Sequence, residues 1–309
     1  MSEIIFHHYP NSPFSEKVRL IFGFKKVAWK SVIIPAIMPK PNVVALTGGY
    51  RRTPVMQIGA DIYCDTALIA DVLERLAPAP SLYPTECAGL ARTLAQWADS
   101  TLFWTMITHL FQPAGMKSAL GNMTPEQIKA FGADRAAFRG NMPRMSLPEA
   151  TGSLTEYLRR LENMLADGKP YLLGAQPCIA DFSVYHSVWF LRSAPAVAEV
   201  LEVAPKLKEW AGRMEAFGHH EFDRMNAEQA LEIARNSRAA DTSHLPFVDF
   251  HGIAPGERVA IMPNDYGIDP VEGELVISTD NELAVRRTDP LAGEVVVHFP
   301  RVGFQLKKA

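Results

Sequence analysis

Three short pieces near the N-terminus carry the side chains that could do chemistry: Tyr9-Pro-Asn-Ser-Pro-Phe-Ser15 after an apolar strand, Thr53-Pro54-Val55-Met56, and Tyr63-Cys-Asp-Thr66 opening a helix. A serine just ahead of a helix has two uses. Its oxygen can cap the helix by accepting a backbone N–H, and its proton can be donated to an anion held at the positive end of the helix dipole. A free thiol titrates near about 8.5, so a hydroxyl donor and a helix N-terminus together enlarge its nucleophilic thiolate fraction. Asp65-Thr66 offers related physics: N–H groups and a hydroxyl for a carboxylate, and an acid for an ammonium. In this order the pieces put hydrogen-bond donors for an anion at the N-termini of two helices, with an X-Pro strand start between them.

The elements that must position them follow from the pattern. Glu3–His8 alternates poorly but is β-rich and stops before Pro10, as a central strand feeding a tight loop does. The run from Ser15 to Phe24 puts Val18, Ile21 and Phe22 on one helical face, with Ser12 or Ser15 as its cap. Trp29–Ile34 is a second β-like run, and Pro35–Pro41 reads as a loop or a linker to a short helix. Val55–Ile58 and Ala60–Cys64 form a hairpin turning at Gly59, and a helix over Asp65–Leu76 turns Ile69, Val72, Leu73 and Leu76 inward. This order fits a small mixed sheet with helices on its faces.

From Thr85 to about Ala240 the periodicity is helical. Helices are expected over Glu86–Phe111, Pro125–Gly140, Leu147–Ala166, Ile179–Arg192, Ala204–Phe217 and Ala227–Arg238. Asp181 follows Cys178 by the spacing of a capping box, with a thiol in place of the usual hydroxyl. Beyond Ala240, Arg258–Met262, Glu274–Ser278, Glu282–Arg286 and Glu294–Phe299 are short β-rich runs, expected to form a separate curled sheet or SH3-like barrel. The division is therefore 1–83, 84–240 and 241–309.

Composition narrows the function classes. The chain has 309 residues, 48% of them hydrophobic and 21% charged, with a formal net charge of -3. That balance gives no electrostatic reason to expect nucleic acid or a membrane as partner. Apolar runs such as Ser187–Leu191 fall far short of the roughly 20 residues of a bilayer span. The opening Met-Ser-Glu-Ile-Ile-Phe has neither a basic region nor an apolar signal core. Cys64, Cys87 and Cys178 form no C-x-x-C pair and have no histidine at metal-ligand spacing, so no metal and a reduced, cytoplasmic setting are expected. His7, His8, His219 and His220 are read as non-catalytic for want of ligand partners.

The first 240 residues resemble the cytosolic glutathione transferases, with a thioredoxin-like N-terminal domain and an all-helical second domain. Ser-Pro-Phe-Ser is similar to the motif of the serine-type, tau/zeta-like classes and stands where thioredoxins carry C-x-x-C. Serine at both ends excludes disulfide exchange through this motif. The resemblance implies that Ser12 donates a hydrogen bond to the glutathione thiolate, with Asn11 and Ser15 nearby, and that Tyr9 is the competing donor. It also implies that Pro54 is the family's cis-proline, with Thr53 pairing its backbone with the cysteinyl part, and that Asp65-Thr66 receives the γ-glutamyl group. Lys40, Arg51 and Arg52 are the candidates for the glycine carboxylate. Phe14, with Phe103, Trp104, Phe111 and the neighbouring Trp97 and Met116 of the first long helix, would line the cleft for a small apolar electrophile. Asp181 is the structural capping acid of the second domain, and a homodimer is expected.

Each residue has a plainer alternative: Ser12 and Asp65 as helix caps, Pro54 as a trans proline starting a strand, the cations as solvated surface, the aromatic run as core. Two functions remain open. One is an enzyme that activates the glutathione thiolate. The other is a transferase-like scaffold, motivated by the β extension as an interaction module and by the long stretch Met116–Met145.

Overall fold

The computed structural model describes residues 3–309. It begins β1 (Ile4–His8), α1 (Pro13–Lys25), β2 (Trp29–Ile33), α2 (Pro41–Thr47), β3 (Val55–Ile58), β4 (Asp61–Cys64) and α3 (Thr66–Leu76). β1 runs parallel to β2 and antiparallel to β3, and the β3–β4 hairpin turns at Gly59, whose φ of +58° suits a residue without a Cβ. Every residue of β1 is buried because the sheet is covered on both sides: Ile4 and Phe6 enter one apolar cluster, Ile5 the other.

The helical part comprises α4 (Ala88–Trp97), a π-helical segment (Ala98–Leu102), α5 (Phe103–Leu110), α6 (Pro113–Leu120), α7 (Pro125–Arg139), α8 (Leu147–Met164), α9 (Ile179–Arg192) and α10 (Pro205–Glu215). The expected single helix over Glu86–Phe111 is thus interrupted by a π segment. Met116, expected on that helix, lies on the separate α6, because Pro113 has no N–H to continue α5 and starts a new helix instead. The capping box at α9 is formed as expected. Asp181 accepts from the backbone N–H groups of Leu172 and Cys178 and from Trp210 Nε1, each at 2.9 Å. No helix among the described residues is long and apolar enough to cross a membrane.

The chain then adds β5 (Phe222–Arg224), α11 (Ala227–Asn236), β6 (Arg258–Pro263), β7 (Val271–Ser278), β8 (Glu282–Asp289), β9 (Gly293–Pro300) and β10 (Phe304–Lys308). β5 and β10 had no counterpart in the sequence pattern. The C-terminal strands form the expected all-β extension, as an open sheet rather than a barrel. It is continuous with the first sheet: β9 runs parallel to β4, pairing Ile62 with Val297, and one sheet has the order β10-β6-β7-β8-β9-β4-β3-β1-β2-β5. Ile5, Val32 and Ile62 share a core with Val285, Val297 and Phe299 of the extension and with Leu231 and Ala234 of α11. The edge of β4, which would otherwise present unpaired backbone groups, is covered by the chain's own extension.

Candidate functional site

Ser12 is the N-cap of α1, 2% exposed, and its Oγ accepts the Ser15 N–H at 3.2 Å. A hydroxyl has one proton and two lone pairs, so capping leaves the proton free for another acceptor. The plain cap and the thiolate donor are therefore compatible roles for one side chain. The Ser15 hydroxyl beside it is buried and has no protein partner. Tyr9 belongs to the same loop, and its carbonyl accepts the Ser12 N–H at 3.2 Å. Its ring lies 5.8 Å from Lys40 Nζ.

The Thr53–Pro54 peptide is cis. Lys40 is buried and places Nζ 2.9 Å from Thr53 Oγ1. The three candidate cations are not equivalent. Arg51 pairs with Asp134 of α7 at 2.8 Å, and Arg52 pairs with Asp265 of the extension. Lys40 makes no ion pair among the described residues. Burial, with Arg135 and Arg51 adding to it against Asp134, lowers its pKa to about 8. A buried ammonium beside two guanidinium groups and without a carboxylate of its own is a place where a ligand anion gains most.

At the start of α3, Asp65 caps the helix by accepting the Ala67 N–H at 2.9 Å. It does so at φ 75° and ψ 137°, a conformation that residues with a Cβ adopt rarely. Burial pushes its carboxyl pKa up, against the Ala67 N–H, Arg52 and Lys17. Thr66 Oγ1 accepts from the fully buried Lys17 Nζ at 3.0 Å, and the same ammonium meets Asp99 Oδ2 at 2.6 Å. Neutral His186 donates to Asp99 Oδ1 at 3.0 Å, since burial lowers its pKa despite Asp99. The opening of α3 thus combines free N–H groups, a hydroxyl whose proton is unspent and a buried ammonium, a donor set for a carboxylate.

Of the aromatic candidates, Phe14 contacts Phe103 at 4.7 Å, Phe103 contacts Trp104 at 5.3 Å, and Trp104 meets Tyr266 of the extension at 4.8 Å. Phe111 instead faces Phe131 and Phe190. Lys17, Asp99, His186, Asp134 and Tyr266 were not singled out from the sequence. A cavity of about 650 Å³ opens beside Pro10 between Glu16, Arg19, Trp29 and Trp189, and none of Ser12, Thr53, Pro54, Asp65 or Thr66 lines it.

A thioredoxin-like sheet followed by a helical bundle, with a serine-capped α1, a cis-proline and an acid-hydroxyl start to α3, defines a two-domain transferase-like architecture. Comparison with known proteins agrees. Residues 6–81 match the family model described as "Glutathione S-transferase, N-terminal domain", and residues 144–213 the one described as "Glutathione S-transferase, C-terminal domain". A GST-like protein from Pseudomonas syringae is 41% identical over 100% of both chains, with a TM-score of 0.84. The chain belongs to the glutathione S-transferase family. A glutathione S-transferase from Rhodospirillum rubrum (19% identity, TM-score 0.53) aligns with 69% of this chain and 88% of its own. A tau-class enzyme from mango, Mangifera indica (16%, 0.51), aligns with 69% and 89%. At these identities the last two speak to the fold alone. No curated protein sequence matches the chain.

Proposed function

We propose that this protein is a glutathione-dependent enzyme of the serine type, in which Ser12 stabilises the thiolate for attack on a small apolar electrophile. The observation that carries this reading is the Ser12 hydroxyl: it caps α1 through its oxygen and keeps its proton for a ligand. Lys40 takes the glycine carboxylate, Thr53 the cysteinyl backbone, and Asp65 with Thr66 the γ-glutamyl group. Arg52, occupied by Asp265, has a supporting role, and Tyr9 is the reserve donor. On binding, the thiol proton leaves for solvent. The thiolate sulfur then bonds to an electrophilic carbon as that carbon's bond to a leaving group breaks and the group departs with the electron pair, or as a π bond opens and the resulting anion takes a proton from solvent. Conjugation, dehalogenation and isomerisation share that step. Phe14, Phe103 and Trp104 supply the apolar wall. A cytoplasmic homodimer without nucleic-acid or membrane partners, divided at about 83 and 240, completes the proposal.

The scaffold reading is weakened by the position of the extension. Its Asp265 and Tyr266 reach Arg52, next to Thr53, so it borders the cleft rather than hanging free. Retention on immobilised glutathione and a rise in melting temperature at millimolar glutathione are expected of the enzyme. Neither effect would be seen with a scaffold that has lost the site.

A further inference from the structure

We propose that Tyr266, carried by the C-terminal extension, contacts the γ-glutamyl group of the bound thiol and makes the site selective for γ-glutamyl peptides. This rests on the reading of the cleft as a glutathione site and adds to it a residue from outside the two matched domains.

Tyr266 sits on the loop between β6 and β7, which is pinned at three points. Asn264 N–H donates to the Gly303 carbonyl at 3.0 Å, and Gly267 N–H to the Phe138 carbonyl of α7 at 2.8 Å. The Arg52 guanidinium donates to Asp265 and to the Tyr266 carbonyl. Gly267, at φ +56°, lies so close to the Phe138 ring that a Cβ there would come within 2.5 Å of it. The Tyr266 ring is held from three sides: Arg52 Cζ lies 3.9 Å from its centroid, and Trp104 and Phe138 meet it edge-on at 4.8 and 5.1 Å.

These contacts tie the phenol to both ends of the candidate site. Arg52 immediately precedes Thr53-Pro54. On the other side, Trp104 lies in the first turn of α5, directly after the π segment that carries Asp99. Asp99 in turn shares the Lys17 ammonium with Thr66. The hydroxyl finds no protein partner among the described residues and is not among the sealed polar atoms. Burial pushes the phenol pKa up, and Asp265, Asp65 and Asp99 add to this against Arg52, so the group stays a protonated donor. A neutral donor without an acceptor, near enough to Asp65 at the start of α3 and to Asp99 for both carboxylates to act on it, suits the α-carboxylate of a γ-glutamyl residue.

The test is calorimetric binding of S-hexylglutathione and S-hexylcysteinylglycine, which lacks the γ-glutamyl group, to the wild-type full chain and to Tyr266→Phe. The phenylalanine keeps the ring contacts, and thermal melting verifies the fold. The variant is expected to bind S-hexylglutathione about 3- to 10-fold more weakly, the worth of one hydrogen bond, and the dipeptide unchanged. Equal affinity for S-hexylglutathione in both proteins overturns the inference. So does an equal loss for both ligands. Wild-type protein that fails to bind S-hexylglutathione overturns the reading of the cleft itself.

Discussion

His298 of the extension donates to Asp61 of β4 at 3.0 Å across the seam between β4 and β9, while its other ring nitrogen faces Glu282 at 2.7 Å. Both contacts are buried. Burial opposes a charge on the ring, but the two carboxylates outweigh it and raise the pKa above the ordinary histidine value of 6.5.

The pH dependence follows from that sign. Between 6.5 and the raised value the folded protein holds a proton that the unfolded chain has released, so stability is full below 6.5 and falls as pH rises through the window. Melting temperature should decline over this range in the wild type and decline less in His298→Gln. Identical slopes in the two proteins would remove His298 from the seam's energetics.

Ser12→Ala removes a charge-assisted hydrogen bond to the thiolate, worth about 1.5–3 kcal/mol. Turnover with glutathione should fall roughly 10-fold or more, with glutathione affinity changed only a few-fold. An unaltered rate would pass the role to Tyr9.

What could be read beforehand was local. The Ser12 cap, the Gly59 hairpin and the Asp181 box each depend on residues a few positions apart, whose types alone fix the geometry. The β4–β9 pairing was not legible, because Ile62 and Val297 lie far apart in the chain and either edge could have faced solvent. Lys17 was hidden for another reason. A lysine within a helix is normally solvated, and only its partner on a different helix explains its burial. The π segment shifts Asp99 relative to the helical repeat, and five residues are too few for periodicity to reveal it. Tyr266 could be placed only by the fold, since Arg52 and Trp104 come from different parts of the chain.

Lys40 gives a ligand-linked pH effect. With its pKa lowered to about 8, the ammonium that would meet a glycine carboxylate is lost as pH rises from 7 to 9. Affinity for S-methylglutathione, whose sulfur does not titrate, should fall across that range in the wild type. Lys40→Met should bind more weakly at pH 7 and lack this part of the decline. A parallel decline in both would point to the ligand's own amine instead.

The Lys17–Asp99 pair joins α1 to the helical part, with Lys17 fully buried and the Asp99 side chain 20% exposed. Removing the ammonium alone strands the Asp99 carboxylate beside His186, whose burial makes it a poor source of positive charge. Lys17→Met should therefore cost about 3–5 kcal/mol in urea unfolding, the range for breaking a buried pair from one side. Replacing both residues, as Lys17→Met with Asp99→Asn, leaves no uncompensated charge, keeps a side-chain oxygen to accept from His186, and should regain much of that loss. The double variant separates stability from binding. It should unfold near the wild-type midpoint yet bind S-methylglutathione weakly, because Thr66 would face the ligand carboxylate without the ammonium now 3.0 Å from its oxygen. Wild-type affinity in a stable double variant would confine Lys17 to a structural role.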